Sequence, residues 1–294
     1  MSADTSPKKA KTEESEGPCP YKVVVLDIEG TTTSISFVHD VLFPYVKNSV
    51  YEFLVEHWGS PELEQKIEAL RAQAKIDVEA KVEGAEEILP TTAPALDIIK
   101  SVAHCIRWQM SIDRKIGPLK SFQGFVWREA YQGGKVQGHV YNDVEPALER
   151  WIRRGCSVYI YSSGSVEAQK LLFGYSEKGD MLKYFKGHFD TAIGLKVEKE
   201  SYSKIAAEIG EDPQSILFVS DNVKEIRAAL LAGFKTAITD RPGNAPIEPA
   251  PSKHPRSARI VSVQLEDTSV PVVKTFDAIF DREAEYRPSE DHQA

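Results

Sequence analysis

The chain has 294 residues, 41% of them hydrophobic and 27% charged, with a net charge of −8. That length holds one large domain or a domain with an insertion. The acidic balance argues against a nucleic-acid-binding face, and no apolar run approaches the ~20 residues of a membrane span.

Residues 1–18 are polar and read as a disordered tail. They lack the apolar stretch of a secretory signal. A short basic cluster, Pro7 to Lys11, allows a nuclear-import reading, although such clusters are usually solvated tail. The three cysteines, Cys19, Cys105 and Cys156, are odd in number and widely spaced. They fit no zinc pattern or disulfide framework, and reduced thiols of a cytoplasmic protein fit best. Cys105 follows His104, but adjacent helical residues diverge, so packing is its expected role.

The first expected strand, Val23-Val24-Val25-Leu26, ends in Asp27-Ile28-Glu29-Gly30. Its apolar run suits a strand covered on both faces. Ligands of parallel α/β sheets bind beyond the carboxyl ends of the strands. Two acids placed there repel unless they hold a cation or run acid/base chemistry. The plain alternative is a solvated acid pair at a capped strand end.

Amphipathic helices follow at Tyr45–His57, Pro61–Ala74, Ala95–Ile112 and Gln123–Tyr131. The interval is too long for one crossover helix. We read 37–139 as a helical cap domain, inserted where it covers the strand ends and closes on a ligand. Trp58, Trp108, Trp127 and Trp151 are expected to pack helix faces.

Further strands are expected at 158–161, leading into Ser162-Ser163-Gly164-Ser165, at 191–193, at 216–219, leading into Ser220-Asp221-Asn222, and at 236–238. Helical patterns fall at 145–154, 166–173, 201–209 and 224–232. This alternation defines an α/β core with a doubly wound parallel sheet, formed by 19–36 and 140–294. Pro246, Pro249, Pro251 and Pro255 mark a surface loop. An edge strand is expected at 259–263, a last helix at 272–280 and a frayed end at 287–294.

Asp27 and Asp221, at two strand ends, make a hard oxygen site suited to Mg²⁺. Ser162-Ser163-Gly164 suits a phosphate, and Lys196 adds a compact positive charge. Lys199 and Lys204 compete with Lys196 for that role. Glu225 lies one helical turn beyond Asp221. His39 either approaches the site or makes a linker contact, and His188 has no neighbour for a zinc site.

The ordered set resembles the haloacid dehalogenase superfamily of aspartate-nucleophile phosphatases, from Tyr21 to Gly243 and including the position of the helical insert. Those phosphatases usually carry Asp-x-Asp, and Glu29 departs from that pattern. The stretches Leu26 to Thr33, Phe43-Pro44-Tyr45 and Tyr159 to Gly174 resemble a narrower family, the enolase-phosphatases of methionine salvage. Gly187-His188-Phe189-Asp190, Lys196-Val197-Glu198 and Arg241 to Ala245 extend the match.

The resemblance implies a bifunctional enzyme acting on a small phosphorylated diketone, 2,3-diketo-5-methylthiopentyl-1-phosphate. The product would be the acireductone 1,2-dihydroxy-3-keto-5-methylthiopentene, with one Mg²⁺ per subunit. It implies that Asp27 is the nucleophile and a metal ligand. Glu29 would be the general acid/base and give its backbone carbonyl to the metal. Asp221 would be a further metal ligand, with Glu225 orienting it or a metal-bound water. Ser162 and Ser163 would hold phosphate oxygens, and Lys196 would offset the charge of phosphate and Asp27.

The base of the enolase step stays open among Glu29, His104, Lys120 and Arg128. The rival readings are an ordinary small-metabolite phosphomonoesterase and a non-catalytic scaffold. The scaffold is disfavoured because nucleophile, acid, lysine and metal ligand are all present. No sequence feature demands a protein partner, so a monomer is expected. Absent other signals the location is cytoplasmic, with the nucleus open through the basic tail.

Overall fold

The computed structural model describes residues 17–247, 261–265 and 267–280. The basic cluster, Pro249, Pro251, Pro255 and the final residues therefore lie outside the described residues, as does nearly all of the expected tail.

Strand β1 (Val23–Leu26) is buried along its whole length. Its alternation divides two cores: Val24 and Leu26 join the cluster of Leu148, Trp151 and Phe173. Val23 and Val25 join that of Tyr202, Ile205 and Ile226. A strand with helices on both faces has no solvent side, which explains the unbroken Val-Val-Val-Leu run. The other strands are β2 (Ser157–Tyr161), β3 (Phe185–Phe189), β4 (Ile216–Ser220), β5 (Lys235–Thr239), β6 (Val261–Leu265) and β7 (Thr268–Val273). They form one sheet in the order β3-β2-β1-β4-β5-β7-β6, parallel except for the β6–β7 hairpin. Because β2, β1 and β4 are neighbours, the segments after their carboxyl ends converge.

Between β1 and β2 the chain runs through a π-helical turn (Phe37–Leu42), α1 (Phe43–Glu56), α2 (Pro61–Glu79), α3 (Ala95–Ser111), α4 (Gly117–Gln132) and then α5 (Val144–Arg153). Helices α1 to α4 enclose a core of their own, including Val50, Leu54, Leu70, Val102 and Phe122. The outgoing and returning connections lie side by side. The His139 Nδ1 accepts the Ser34 N–H at 3.1 Å and lies 3.0 Å from Thr33 Oγ1. The Tyr141 N–H donates to the Thr32 carbonyl at 3.1 Å. After β2 come α6 (Val166–Gly174), α7 (Lys199–Ile209) and α8 (Val223–Leu231).

Two expectations are corrected. Residues 191–193 form a turn, and the strand lies earlier, at β3. The Asp190 carboxylate accepts the Ala192 N–H at 2.8 Å, which bends the chain there. The Phe-Lys-Gly-His-Phe run of β3 lacks β-branched residues and was therefore hard to read. Residues 272–280 are not a helix. The β-branched Val270, Val272 and Val273 extend β7, and only Phe276–Ala278 makes a single 3-10 turn. That turn is fixed from afar, since Asp143 Oδ2 accepts the Phe276 N–H at 2.7 Å. The same carboxylate takes the buried Arg241 guanidinium in a two-pronged pair at 2.9 and 2.8 Å.

His188 on β3 places its Nδ1 3.1 Å from Gln169 Oε1. Burial, with Lys170 nearby, lowers its pKa from 6.5 to about 4. Between those values the unfolded chain holds a proton that the folded chain lacks, so stability rises with pH through that window. The deficit is complete below about pH 4 and reaches roughly 3 kcal/mol at most. His188→Asn keeps a donor for Gln169 and does not titrate. The wild-type-minus-variant difference in unfolding free energy should therefore shift in the variant's favour between pH 7 and 4. A pH-independent difference would contradict this.

Candidate functional site

Asp27 leaves the end of β1 only 5% exposed. Its Oδ1 accepts the Ile28 N–H at 2.7 Å and the Lys196 ammonium at 2.6 Å. Its Oδ2 lies 3.2 Å from the Ser220 hydroxyl at the end of β4. Lys196 comes from the loop between β3 and α7, and it also pairs with Glu225 Oε2 at 2.7 Å. Ser220 bridges the two acids, with its hydroxyl 2.9 Å from the same Glu225 oxygen.

The loop holding Lys196 is tightly folded. The Tyr202 hydroxyl donates to the Lys196 carbonyl at 2.6 Å, and Ser201 donates to the Leu195 carbonyl at 2.7 Å. Gly194 has φ +144°, and a Cβ there would collide with the Ser201 side chain. Burial works against the Lys196 charge, but Asp27 and Glu225 overcome it and raise its pKa.

Glu29 follows two residues after Asp27. Burial, and then the Asp27 charge, raise its pKa, while His39, Lys196 and Lys115 partly offset them. The turn beyond it is set by Gly30 at φ +69°. The Gly30 carbonyl accepts from Thr239 Oγ1 at 3.0 Å and Asn244 Nδ2 at 2.9 Å. A Cβ on Gly30 would meet Asp221 and Asn244, so both crowd the turn.

Asp221 has its pKa raised to about 7, by burial first and then by Asp27 and Glu225. Asn244 Oδ1, beside it, is buried with no hydrogen-bond partner among the described residues. The corner therefore holds an excess of acceptors, which a cation relieves. Among the described residues no three His, Cys, Asp or Glu side chains form a metal cage. Two carboxylates and a backbone carbonyl, with other positions left to water and phosphate, instead suit Mg²⁺. The donor set fits that ion.

The segment after β2 forms the next wall. Ser162 is buried, and its hydroxyl accepts the Gly164 N–H at 3.3 Å. The Ser165 hydroxyl caps α6 through the Ala168 N–H at 3.2 Å. A strand-to-helix turn of this kind, with small hydroxyls at a helix N-terminus, suits a phosphate.

The turn lines a cavity of about 240 Å³ between sheet and insert. The core supplies Glu29 and the Ser162–Ser165 turn to its lining. The insert supplies Val38, His39 and Leu42 from the π-helical turn, and Lys120, Trp127 and Tyr131 from α4. Asp27, Lys196 and Asp221 are absent from its walls.

The structure thus brings Asp27, Glu29, Ser162, Lys196 and Asp221 to one end of the sheet, with Ser163 in the adjoining turn. His104 does not line the cavity and lies 3.5 Å from Glu86. Arg128 is held by Glu62 at 2.7 Å and Glu167 at 3.3 Å. Trp127, expected only to pack, faces the cavity and donates its indole N–H to the Leu42 carbonyl at 3.0 Å. Glu225, expected to serve Asp221 or a metal-bound water, pairs with Lys196 and accepts hydrogen bonds from Ser220 and, at 3.5 Å, from Asn222 Nδ2. Sequence reading did not single out Ser220 or Asn244. The strand-end position of Ser220 was its only signal, and no signal marked the Asn244 contact to Gly30 across 214 residues.

A parallel sheet carrying a helical insert after its first strand, with an acid pair and a buried lysine at the strand ends, defines the class. Residues 21–233 match the family model for haloacid dehalogenase-like hydrolases. Enolase-phosphatase E1 of Anopheles gambiae is 50% identical over 224 residues, covering 76% of this chain and 75% of that protein. Enolase-phosphatase E1 of Xenopus tropicalis is 49% identical over 233 residues, covering 78% and 88%. The crystal structure of the UTR4 protein of Saccharomyces cerevisiae is similar at a TM-score of 0.65 and 30% identity. That match covers 88% of this chain and 100% of that one. Within the haloacid dehalogenase-like hydrolases, the chain belongs to the enolase-phosphatase family.

Proposed function

We infer that the chain converts 2,3-diketo-5-methylthiopentyl-1-phosphate to the acireductone 1,2-dihydroxy-3-keto-5-methylthiopentene and phosphate. The observation that carries the chemistry is the Asp27 carboxylate, fixed by Lys196 and the Ile28 N–H, two residues from Glu29, which lines the cavity.

In the first step a carbon-bound proton leaves the diketone. Glu29 takes it: its carboxyl has raised proton affinity, faces the cavity, and reaches further from the strand than Asp would. Of the other candidate bases only Lys120 lines the cavity. In the second step an Asp27 carboxylate oxygen attacks phosphorus, and the phosphorus–oxygen bond to the enol breaks. Glu29 gives a proton to the leaving oxygen. Water then attacks the aspartyl phosphate, Glu29 takes its proton and passes it to the enolate oxygen left by the first step, and phosphate leaves with Asp27 and Glu29 both restored.

Ser162 and Ser163 hold phosphate oxygens at the β2–α6 turn, and Lys196 holds the Asp27 carboxylate in place. Asp27, Asp221 and the Glu29 carbonyl would hold a single Mg²⁺, which would supply charge stabilisation for the phosphoryl group and acidify the carbon next to the ketone. The helices of 37–139 act as a cap over this site. No described helix is long and apolar enough to cross a membrane.

The test follows the diketo phosphate with Mg²⁺, reading enol absorbance and phosphate release together. Both signals should rise with the native chain. Phosphate release from unrelated esters, with neither signal from this compound, would leave a general phosphomonoesterase and overturn the assignment.

A further inference from the structure

Charge at the strand ends is already committed. Lys196 is shared by Asp27 at 2.6 Å and Glu225 at 2.7 Å, so its single positive charge is more than matched. Asp221, whose side chain crowds Gly30, and Glu29, beside that glycine, add further acid groups to the corner. A phosphate monoester entering this corner brings up to two more negative charges. A divalent cation offsets some of them, but Lys196 has nothing left to give. A further cation is needed at the phosphate turn, and it must come from a residue not bound to a carboxylate.

Lys120 fits that description. It sits in the first turn of α4, half-buried, and lines the cavity together with Ser162, Ser163 and Gly164. Its ammonium donates to the Ser163 backbone carbonyl at 3.1 Å. A neutral carbonyl is a weak partner for a partly desolvated ammonium, whereas a phosphate oxygen makes a charge-assisted bond of roughly twice the strength. Two turns further along the same helix Arg128 is bound by carboxylates, which fixes α4 against α6 and holds Lys120 over the turn.

We propose that Lys120 is a further phosphate-binding residue, carried on the helical insert, whose ammonium passes from the Ser163 carbonyl to the phosphate of the substrate. The insert then contributes directly to phosphate affinity. The proposal rests on the phosphatase reading of the site but not on the identity of the diketone.

Its test uses inorganic phosphate as a competitive inhibitor of the Mg²⁺-loaded full chain, with p-nitrophenyl phosphate as reporter. Lys120→Met keeps the length and removes the charge. It should raise the phosphate inhibition constant by about tenfold or more, with an unchanged melting temperature. Lys120→Arg should hold that constant within about threefold of the native value. An inhibition constant unmoved in Lys120→Met overturns the proposal. So does a fall in turnover without weaker phosphate inhibition, which would make the Ser163 contact only a latch between insert and core. If the native chain hydrolyses the reporter but not the diketo phosphate, the assigned substrate falls while this measurement still decides the role of Lys120.

Discussion

Asp27→Asn should lower phosphate release by more than about a thousandfold while leaving the fold intact. The amide is nearly the same size as the carboxylate, so the packing under the cavity survives. It cannot form the aspartyl phosphate, and it is a poor cation ligand. Lys196 retains Glu225 at 2.7 Å, so one buried ion pair remains satisfied. The melting temperature should therefore stay close to native, and circular dichroism should be unchanged. Single-turnover phosphate release is the deciding measurement. Release within tenfold of native would mean that water attacks the phosphate directly, and Asp27 would lose its role as nucleophile.

The second large effect is on stability. Lys196→Met should cost about 3–5 kcal/mol of unfolding free energy, because it strands two buried acids. Asp27 and Glu225 are 5% and 8% exposed, and both are bound to this one ammonium. Without it each must take up a proton or repel the other. Adding Glu225→Gln to Lys196→Met removes one of the two charges and should recover about 1–2 kcal/mol. Urea denaturation of the two variants at pH 7 measures both quantities. A double variant no more stable than Lys196→Met alone would show that the trio is not a coupled charge network.

Much of the site was legible because its chemistry is local. Asp27, Glu29, Ser162 and Asp221 all follow apolar strand runs, and in a parallel sheet the ends of such runs share one rim. Lys196 was different. The strand expected before it at 191–193 is a turn, and Lys199 and Lys204 lie within the same stretch, so only its match to a family motif set it apart. The fold selects Lys196 because the Gly194 turn and the Tyr202 and Ser201 hydrogen bonds lock that loop.

The misread elements share a physical cause. β3 has a mixed polar and aromatic sequence without periodicity, and its position follows from pairing with β2 rather than from its own residues. The segment after Lys274 takes its turn from Asp143, more than a hundred residues earlier in the chain.

The sequence by itself determined the α/β alternation, the place of the insert and the acids at the strand ends, since hydrophobic period and strand termini are encoded in consecutive residues. Only the tertiary structure decided which lysine meets Asp27, that Glu225 shares it, that Ser220 links both acids, and that α4 brings Lys120 to the phosphate turn. Those pairings join residues far apart in the chain, and they depend on strand order and helix docking, which no local pattern specifies.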